Sequence, residues 1–187
     1  MPSNILSAQS RALFLDRDGV ININHGYVYN ADNFDFIDGI FDLARSATIK
    51  GYLICVITNQ AGIGRGYYSV EEFKSLTSWM CRQFKANKSE ITKVYYSPYH
   101  PIHGIEQYKK DDLSRKPNPG MLLEAQKELD IDLSKSIFIG DNLTDMDAGI
   151  AAGVGKNILL LAEDKQLNCK TDGYVSVSSL KNAKIYL

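Results

Sequence analysis

The sequence predicts an open α/β fold, in which helices cover both faces of a central parallel sheet. Short apolar runs alternate with amphipathic segments along the 187 residues, and this alternation is typical of parallel sheets. Capping signals separate the two kinds of segment, and the length suits one hydrophobic core. We therefore expect residues 1–187 to form a single domain.

Five apolar runs predict strands, and four amphipathic segments predict helices. The predicted strands are residues 12–15, 52–57, 93–96, 137–139 and 157–161. The predicted helices are residues 39–50, 70–86, 119–129 and 145–152. Ser69 and Glu72 have the spacing of a capping box at a helix start, and Gly51 suits a helix end. We expect residues 174–177 to form a short edge strand before a last helix.

Charge and composition exclude several classes of protein. The chain carries 21 basic and 22 acidic residues, for a net charge of -1, so neither nucleic acid nor an anionic membrane is expected as the main partner. No stretch approaches the ~18 apolar residues of a membrane helix, and the N-terminus lacks a secretory signal. Cys55, Cys81 and Cys169 form no close pair and are expected to be small buried side chains. We expect a cytoplasmic monomer.

Asp16 and Asp18 directly follow the apolar run 12–15 and form the most informative motif of the chain. Residues i and i+2 of an extended chain face the same side. Both carboxylates can therefore meet one ligand beyond the carboxyl end of a strand, where open α/β sheets bind ligands. Two acids this close require a cation or a retained proton. An Asp-rich turn is the alternative, because Asp and Gly also favour turns.

Two further polar segments lie at the ends of predicted elements: one follows a predicted strand, and the other precedes a predicted helix. The segment that begins Thr58-Asn59-Gln60 combines a hydroxyl, two amides and later glycines that can face an anion. Such a turn can also simply reverse the chain. Arg115 and Lys116 lie before a predicted helix, where they either bind a phosphate or remain a solvated basic pair.

Asp141 provides a third carboxylate at a third strand end. Asp145 follows in the first turn of a predicted helix, where an acid is also favoured by the helix dipole alone. Mg²⁺ prefers oxygen ligands and is commonly held by one or two carboxylates together with a substrate phosphate. Asp16, the backbone carbonyl of Asp18, and Asp141 suit such a site.

In this order, the four segments resemble the motifs of the haloacid dehalogenase (HAD) superfamily of phosphohydrolases. The matching residues, within about residues 11–162, are Asp16-Arg17-Asp18-Gly19, Thr58-Asn59, Lys116, and Gly140-Asp141 with Asp145. Within the superfamily the chain is most similar to the D-glycero-D-manno-heptose 1,7-bisphosphate 7-phosphatases, which are related to the histidinol-phosphatase domain. That likeness lies in the segments FLDRDGVIN, HGYV, FDFIDGI, ITNQAGIGRG, RKPNPGM and IGDNLTDMDAG. It implies the HAD-like, Rossmannoid three-layer fold.

The resemblance implies a Mg²⁺-dependent, two-step hydrolysis through an aspartyl phosphate. Asp16 would attack phosphorus, and Asp18 would act first as general acid and then as general base. Thr58 and Lys116 would stabilise the phosphoryl oxygens. The implied metal ligands are Asp16, Asp18 and Asp141. The implied substrate-binding residues are Asn24, His25, Gly26, Tyr27, Asn59, Gln60 and Arg115.

Two long connections, residues 20–37 and 98–117, are expected to cover the site. The stretch between Asp18 and Thr58 is too short for the cap domain that many HAD enzymes carry, so the fold is predicted to be capless. We expect a small phosphorylated sugar as substrate. The tyrosines that are candidates to pack against it are Tyr27, Tyr29, Tyr99 and Tyr108.

Many relatives bind a structural zinc in the loop before the RKPNPGM segment, and here the sequence departs from them. The four expected ligand positions carry Ser97, Tyr99, Asp112 and Ser114. Structural zinc is almost always held by four Cys or His side chains, so we predict that no zinc is bound. Asn142 is a second departure, because relatives often have Lys at this position.

The function that the resemblance implies is removal of the 7-phosphate from the heptose bisphosphate, in the synthesis of a lipopolysaccharide precursor. Histidinol-phosphate phosphatase is the nearest alternative enzyme. A catalytically silent HAD-like domain that binds a phosphorylated ligand is a third, less favoured because every residue required for turnover is present. The sequence leaves the preferred anomer at C1 open.

Overall fold

The computed structural model describes residues 9–161 and 173–187. The expectations for Cys169 and for the first residues of the chain lie outside this part. Its strands are β1 (Arg11–Leu15), β2 (Tyr52–Asn59), β3 (Ile91–Ser97), β4 (Ile137–Gly140), β5 (Lys156–Leu160) and β6 (Tyr174–Val177). Its α-helices are α1 (Ile40–Ile49), α2 (Ala61–Gly64), α3 (Val70–Ala86), α4 (Gly120–Leu129), α5 (Leu143–Ala152) and α6 (Leu180–Ala183).

The strands form one parallel sheet in the order β3-β2-β1-β4-β5-β6. This confirms the predicted α/β class. From β1 the chain proceeds outward through β2 to β3, and then returns to the other side of β1 for β4. Open sheets bind ligands at such a change of direction, beyond the carboxyl ends of the strands. The ends of β1 and β4 are therefore the expected place for a site.

Side chains of β1 alternate between the two faces of the sheet, as the period of a strand requires. Leu13 and Leu15 belong to one hydrophobic core, whereas Ala12 and Phe14 belong to the other, and all four are fully buried. The helix residues that complete the two cores are Leu43, Met80 and Leu180 on the first face, and Met121, Leu122 and Ala148 on the second. The result is the predicted three-layer arrangement.

Most predicted element boundaries agree with the structure to within a few residues. Ser69 caps α3, because its hydroxyl accepts from the Glu72 amide while the Glu72 carboxylate accepts from the Ser69 amide. Gly51 follows α1 with a φ of 78°, in the left-handed region that glycine adopts without strain. The short helix α2 was not predicted, because its four residues are too few to show a period. No helix among residues 9–161 and 173–187 is long and apolar enough to cross a membrane.

The connection 20–37 is anchored in the core at its base and exposed near its tip. Val20 and Ile21 are fully buried, and the Ile37 amide donates to the Ile21 carbonyl at 2.9 Å. The buried Arg17 side chain donates to the Val28 carbonyl at 2.6 Å. Residues 23–27 project beyond these anchors and are exposed. We call this projecting segment, residues 23–27, the flap.

Candidate active site

The carboxyl ends of β1, β2 and β4 open into one cavity of about 430 Å³. Asp16 follows β1, Thr58 lies near the end of β2, and Asp141 follows β4. The predicted site residues that line the cavity are Asp16, Asp18, Asn24, Gly26, Tyr27, Thr58, Asn59, Gln60, Arg115, Lys116 and Asp141. Parallel strands bring their carboxyl ends to one edge of the sheet, which is why segments far apart in sequence meet here.

Lys116 lies at the base of the cavity and is buried, with 3% of its surface exposed. Its ammonium is 2.9 Å from Asp16 Oδ1 and 2.6 Å from Asp145 Oδ1. It also donates to the Ile57 carbonyl at 2.8 Å. The ammonium thus donates one hydrogen bond and forms ion pairs with two carboxylates, and these contacts together hold the charge in place.

Asp145 has a larger role than a first-turn acid. Besides its contact with Lys116, it accepts from the Asn142 amide at 3.0 Å and so completes the capping box of α5. The Asp145 carboxylate is almost fully buried. It therefore joins the start of α5 to the base of the cavity.

The buried carboxylates outnumber the cations that neutralise them. Burial raises the pKa of Asp16 to about 8; Lys116 opposes this rise, and Asp145 and Asp141 add to it. Burial and the neighbouring Asp145 raise the pKa of Asp141 to about 6. Burial acts to lower the pKa of Lys116, but Asp145 and Asp16 outweigh it and hold the pKa above its usual value. Among the described residues, the charged Lys116 ammonium is thus shared by Asp16 and Asp145.

This excess of carboxylate is what a divalent cation requires. One carboxylate oxygen each of Asp16, Asp141 and Asp145 lies within 4.8 Å of the others. The donors are all oxygens, which is the set that Mg²⁺ prefers. Asp145 is engaged by Lys116 and by the Asn142 amide, and Asp16 also contacts Lys116. The three carboxylates together form a cluster that could hold a divalent cation.

Asp18 is held by neighbours that donate hydrogen bonds. Arg17 Nη2 lies 2.9 Å and 2.8 Å from its two carboxylate oxygens. Asn22 donates to Oδ1 at 3.0 Å, and Gln60 donates to Oδ2 at 3.1 Å. Asp16 contacts Lys116 and Asp18 contacts Arg17, so the two acids of the motif have separate cationic partners. Their environments are suited to separate tasks.

Arg17, Asn22 and Tyr68 are site residues that the sequence analysis did not single out. The Tyr68 hydroxyl donates to Gln60 Oε1 at 2.6 Å, and Gln60 Nε2 also donates to Thr58 Oγ1 at 2.8 Å. This chain of hydrogen bonds sets the orientation of the Gln60 amide towards Asp18. The position of Arg17 between two aspartates was the available sequence signal.

The Asn59 side chain connects β2 to the loop that carries Lys116. Its Nδ2 donates to the Lys116 carbonyl at 3.0 Å, and its Oδ1 accepts from the Lys116 amide at 3.0 Å. These paired bonds hold the backbone of Lys116 in register with the end of β2. Arg115 precedes it at the mouth of the cavity, where its Nη1 donates to the Tyr99 carbonyl at 3.0 Å.

The flap contributes Asn24, Gly26 and Tyr27 to the cavity wall, but not His25. The His25 ring instead contacts the Asp35 carboxylate at 2.8 Å and is half exposed. The Tyr27 hydroxyl contacts Arg65, whose guanidinium also lies 4.8 Å from the centre of the Tyr67 ring. Arg65 thus supports the flap from the side.

Of the four tyrosines predicted to pack against a sugar, Tyr27 lines the cavity. Tyr29 instead stacks on Tyr68, with their ring centres 5.5 Å apart. Tyr99 and Tyr108 pack near each other in the connection 98–117, with their ring centres 6.1 Å apart. Tyr68, which was not among the four, also lines the cavity.

Comparison with known proteins gives consistent family matches. A family model described as polynucleotide kinase 3 phosphatase matches residues 14–171. The D-glycero-alpha-D-manno-heptose-1,7-bisphosphate 7-phosphatase of Burkholderia mallei is 52% identical over 156 residues, which cover 83% of this chain and 82% of the relative. The D-glycero-beta-D-manno-heptose-1,7-bisphosphate 7-phosphatase of Vibrio cholerae is 50% identical over 149 residues, covering 80% of each.

Solved structures show the same fold. A protein of Mesorhizobium loti described as a HAD-like phosphatase superposes with a TM-score of 0.85 at 30% identity, and the match covers 100% of this chain and 90% of that one. The D,D-heptose 1,7-bisphosphate phosphatase of B. bronchiseptica, complexed with magnesium and phosphate, superposes with a TM-score of 0.81 at 24% identity. That match covers 94% of this chain and 96% of the other.

Proposed function

This chain belongs to the polynucleotide kinase 3 phosphatase family and, within the HAD superfamily, to the heptose 1,7-bisphosphate 7-phosphatases, and we propose that it hydrolyses the 7-phosphate of D-glycero-D-manno-heptose 1,7-bisphosphate. One observation carries the reaction class: the buried Lys116 ammonium lies 2.9 Å from Asp16 at the base of an open cavity. A carboxylate fixed beside a cation is suited to attack a phosphate monoester.

In the first step, an oxygen of Asp16 forms a bond to phosphorus and the bond from phosphorus to the sugar oxygen breaks. Asp18 gives its proton to that leaving oxygen. In the second step, Asp18 takes a proton from water as the water oxygen attacks phosphorus, which releases phosphate and restores Asp16. The contacts of Arg17 and Gln60 with Asp18 support this role, because they hold its carboxylate in one orientation.

Charge on the phosphoryl group is stabilised by residues at the end of β2 and in the connection 98–117. Lys116 supplies a fixed positive charge, and Thr58 supplies a hydroxyl oriented by Gln60. We propose that Asp16, Asp141 and the backbone carbonyl of Asp18 hold Mg²⁺. When bound, Mg²⁺ neutralises negative charge between the nucleophile and the phosphate.

The shape of the cavity supports a small, highly charged substrate. The flap, the connection 98–117, the end of β2 and the first turns of α2 and α5 line it, and its volume of about 430 Å³ suits a phosphorylated sugar. Asn24, Gly26 and Tyr27 of the flap provide polar and aromatic contacts for the sugar. Arg115 at the mouth provides a cation for the substrate outside the reacting phosphate.

The preferred anomer is left open, because relatives named for the alpha and beta forms are 52% and 50% identical to this chain. Phosphate release should be measured with Mg²⁺ for both anomers of the heptose bisphosphate, for histidinol phosphate and for fructose 1,6-bisphosphate. We expect a clear preference for one heptose anomer. A faster rate with histidinol phosphate, or equal and slow rates with all four, would contradict the proposed substrate.

We further infer that the protein acts in the cytoplasm as a monomer, in the synthesis of a precursor of surface polysaccharide. The relatives with similar sequences are bacterial phosphatases named for a heptose bisphosphate, and such sugar phosphates are soluble metabolites. Light scattering of the purified protein tests the oligomeric state. Fractionation of cells that express it tests the location.

A further inference from the structure

We propose that Asp112 is a positioning residue that sets Arg115 at the mouth of the active site. It does so through its own contacts with Lys110 and Ser114 and through the contact of Ser114 with Ser97, and we call these four residues the Asp112 clamp. This inference rests on the proposed function, in that Arg115 is taken to contact the substrate. The clamp itself is an observed set of contacts in the connection 98–117.

The inner side of the clamp joins the loop to the end of the sheet. Asp112 Oδ1 accepts from the Ser114 amide at 2.9 Å and from the Ser114 hydroxyl at 2.7 Å. The Ser114 and Ser97 hydroxyls lie 3.0 Å apart. Ser97 is fully buried at the end of β3, and its carbonyl accepts from the Gln60 amide at 2.7 Å. The clamp is thus continuous with the backbone of the active site.

The outer side of the clamp joins the two halves of the loop. The Lys110 ammonium is 2.7 Å from Asp112 Oδ2 and 4.0 Å from the centre of the Tyr99 ring. Partial burial acts to raise the pKa of Asp112, but hydrogen bonds from Lys110 and Ser114 lower it below its usual value. The carboxylate is therefore ionised and paired at neutral pH.

Arg115 is held at both ends by residues that the clamp connects. Its amide donates to the Asp112 carbonyl at 2.9 Å, and its Nη1 donates to the Tyr99 carbonyl at 3.0 Å. Lys110 links these two segments through its contacts with Asp112 and with the Tyr99 ring. Loss of the clamp should therefore separate the anchor of the Arg115 backbone from the anchor of its guanidinium.

Ser97, Tyr99, Asp112 and Ser114 are the positions at which the family resemblance implies zinc ligands in many relatives. In this chain these positions carry hydroxyl, carboxylate and aromatic groups, and the Lys110 ammonium contacts both the Asp112 carboxylate and the Tyr99 ring. A lysine ion pair thus occupies the place at which the resemblance implies a metal. The prediction that no zinc is bound stays a prediction.

The chain contains a matched control for the clamp. Asp132-Leu133-Ser134 repeats the tripeptide Asp112-Leu113-Ser114. Asp132 Oδ1 accepts from the Ser134 amide at 3.0 Å and hydroxyl at 2.6 Å, and Oδ2 is 2.9 Å from the Lys135 ammonium. This copy precedes β4, at the end of the sheet opposite the cavity. The two copies share their local contacts and differ in what they support.

Asp112→Asn and Asp132→Asn should be compared in steady-state phosphate release from the heptose bisphosphate. Asparagine retains the acceptor for Ser114 but removes the charge that pairs with Lys110. We expect Asp112→Asn to raise KM by about tenfold and to change kcat by less than about twofold, because a binding contact is displaced while the reacting groups are intact. Asp132→Asn should match the wild type. Lys110→Gln should also raise KM. Lys110→Arg, which keeps the positive charge, should have the KM of the wild type.

Two further measurements separate positioning from general destabilisation. In an Arg115→Lys background, Asp112→Asn should add little to the KM, because both changes act on one contact. Hydrogen exchange of residues 97–116 should be faster in Asp112→Asn than in Asp132→Asn. Exchange requires no substrate, so it tests the clamp even if the proposed substrate is wrong. The inference would be overturned if Asp112→Asn had the hydrogen exchange and the KM of the wild type. It would also be overturned if the effects of Asp112→Asn and Arg115→Lys on KM were fully additive.

Discussion

Replacement of Lys116 by methionine is the most direct test of how the active site is held together. The substitution keeps an unbranched side chain of similar length and removes the ammonium. It deletes contacts of 2.9 Å to Asp16 and 2.6 Å to Asp145, and a hydrogen bond of 2.8 Å to the Ile57 carbonyl. Two buried carboxylates then lose their shared cation.

The expected loss of stability follows from burial. Removing one partner of a buried ion pair costs about 3–5 kcal/mol, because the remaining charge is left without compensation. Protonation of Asp16, whose pKa is already raised to about 8 by burial, relieves part of this penalty near neutral pH. We therefore expect the free energy of unfolding to fall by about 3 kcal/mol in buffer that contains EDTA. This is a large fraction of the 5–15 kcal/mol that is typical of domains.

The assay is urea unfolding at pH 7.5, with the midpoint and the slope measured for each variant. Lys93→Met is the matched control, because Lys93 pairs with Glu128 and the two side chains are 43% and 39% exposed. An exposed pair contributes about 0–1 kcal/mol, so this variant should remain close to the wild type. Equal stability of the Lys116→Met and Lys93→Met variants would refute the argument from burial.

Three other predictions concern catalysis and the metal. Asp16→Asn should lower turnover at least ~10³-fold, equivalent to about 4 kcal/mol of transition-state stabilisation, because the amide is a poor nucleophile; the measurement is phosphate release at saturating substrate. In EDTA, folded protein should bind more protons than the unfolded chain, since burial raises the pKa of Asp16 to about 8 and that of Asp141 to about 6. The urea midpoint should therefore fall as the pH rises from about 4 to about 8, and Mg²⁺ should reverse that fall. Gly19→Ala should raise the Mg²⁺ concentration for half-maximal activity by about tenfold, because a Cβ at Gly19 would lie 2.0 Å from Asp141 Oδ2.

Each of these three has a control. Wild-type turnover in Asp16→Asn would rule out the proposed nucleophile. Asp141→Asn should reduce the fall of the urea midpoint with pH, and an unchanged fall would assign it to other groups. Gly153→Ala controls for backbone strain, because Gly153 has a φ of 80° and a Cβ there would meet nothing within 4 Å. Equal Mg²⁺ requirements in the two glycine variants would contradict the role given to the space beside Asp141.

The place of the site was predictable from the sequence because parallel sheets impose it. Asp16, Thr58 and Asp141 each follow or end an apolar run, and all parallel strands of one sheet end at the same edge. Local patterns were therefore sufficient to predict that these side chains lie together. The capping box of α3 was predictable for a similar reason, since Ser69 and Glu72 interact within one turn.

Contacts between distant segments were not predictable in the same way. His25 belongs to a motif of the resemblance, yet its ring turns towards Asp35 and away from the cavity. Asp145 was equally consistent with a simple first-turn acid until its contact with Lys116 was seen. Such choices depend on where a side chain points after two elements have packed, which the spacing of residues along the chain does not specify.

By itself, the sequence determined the α/β class, the order of the four polar segments and the chemical types that meet at the sheet edge. These depend on the periods of strands and helices and on short-range capping, which are local properties of the chain. Only the tertiary structure decided that Lys116 is shared between Asp16 and Asp145, that Arg17 holds Asp18, and which tyrosines line the cavity. The reason is that a buried charge selects its partners by distance and desolvation in the packed protein.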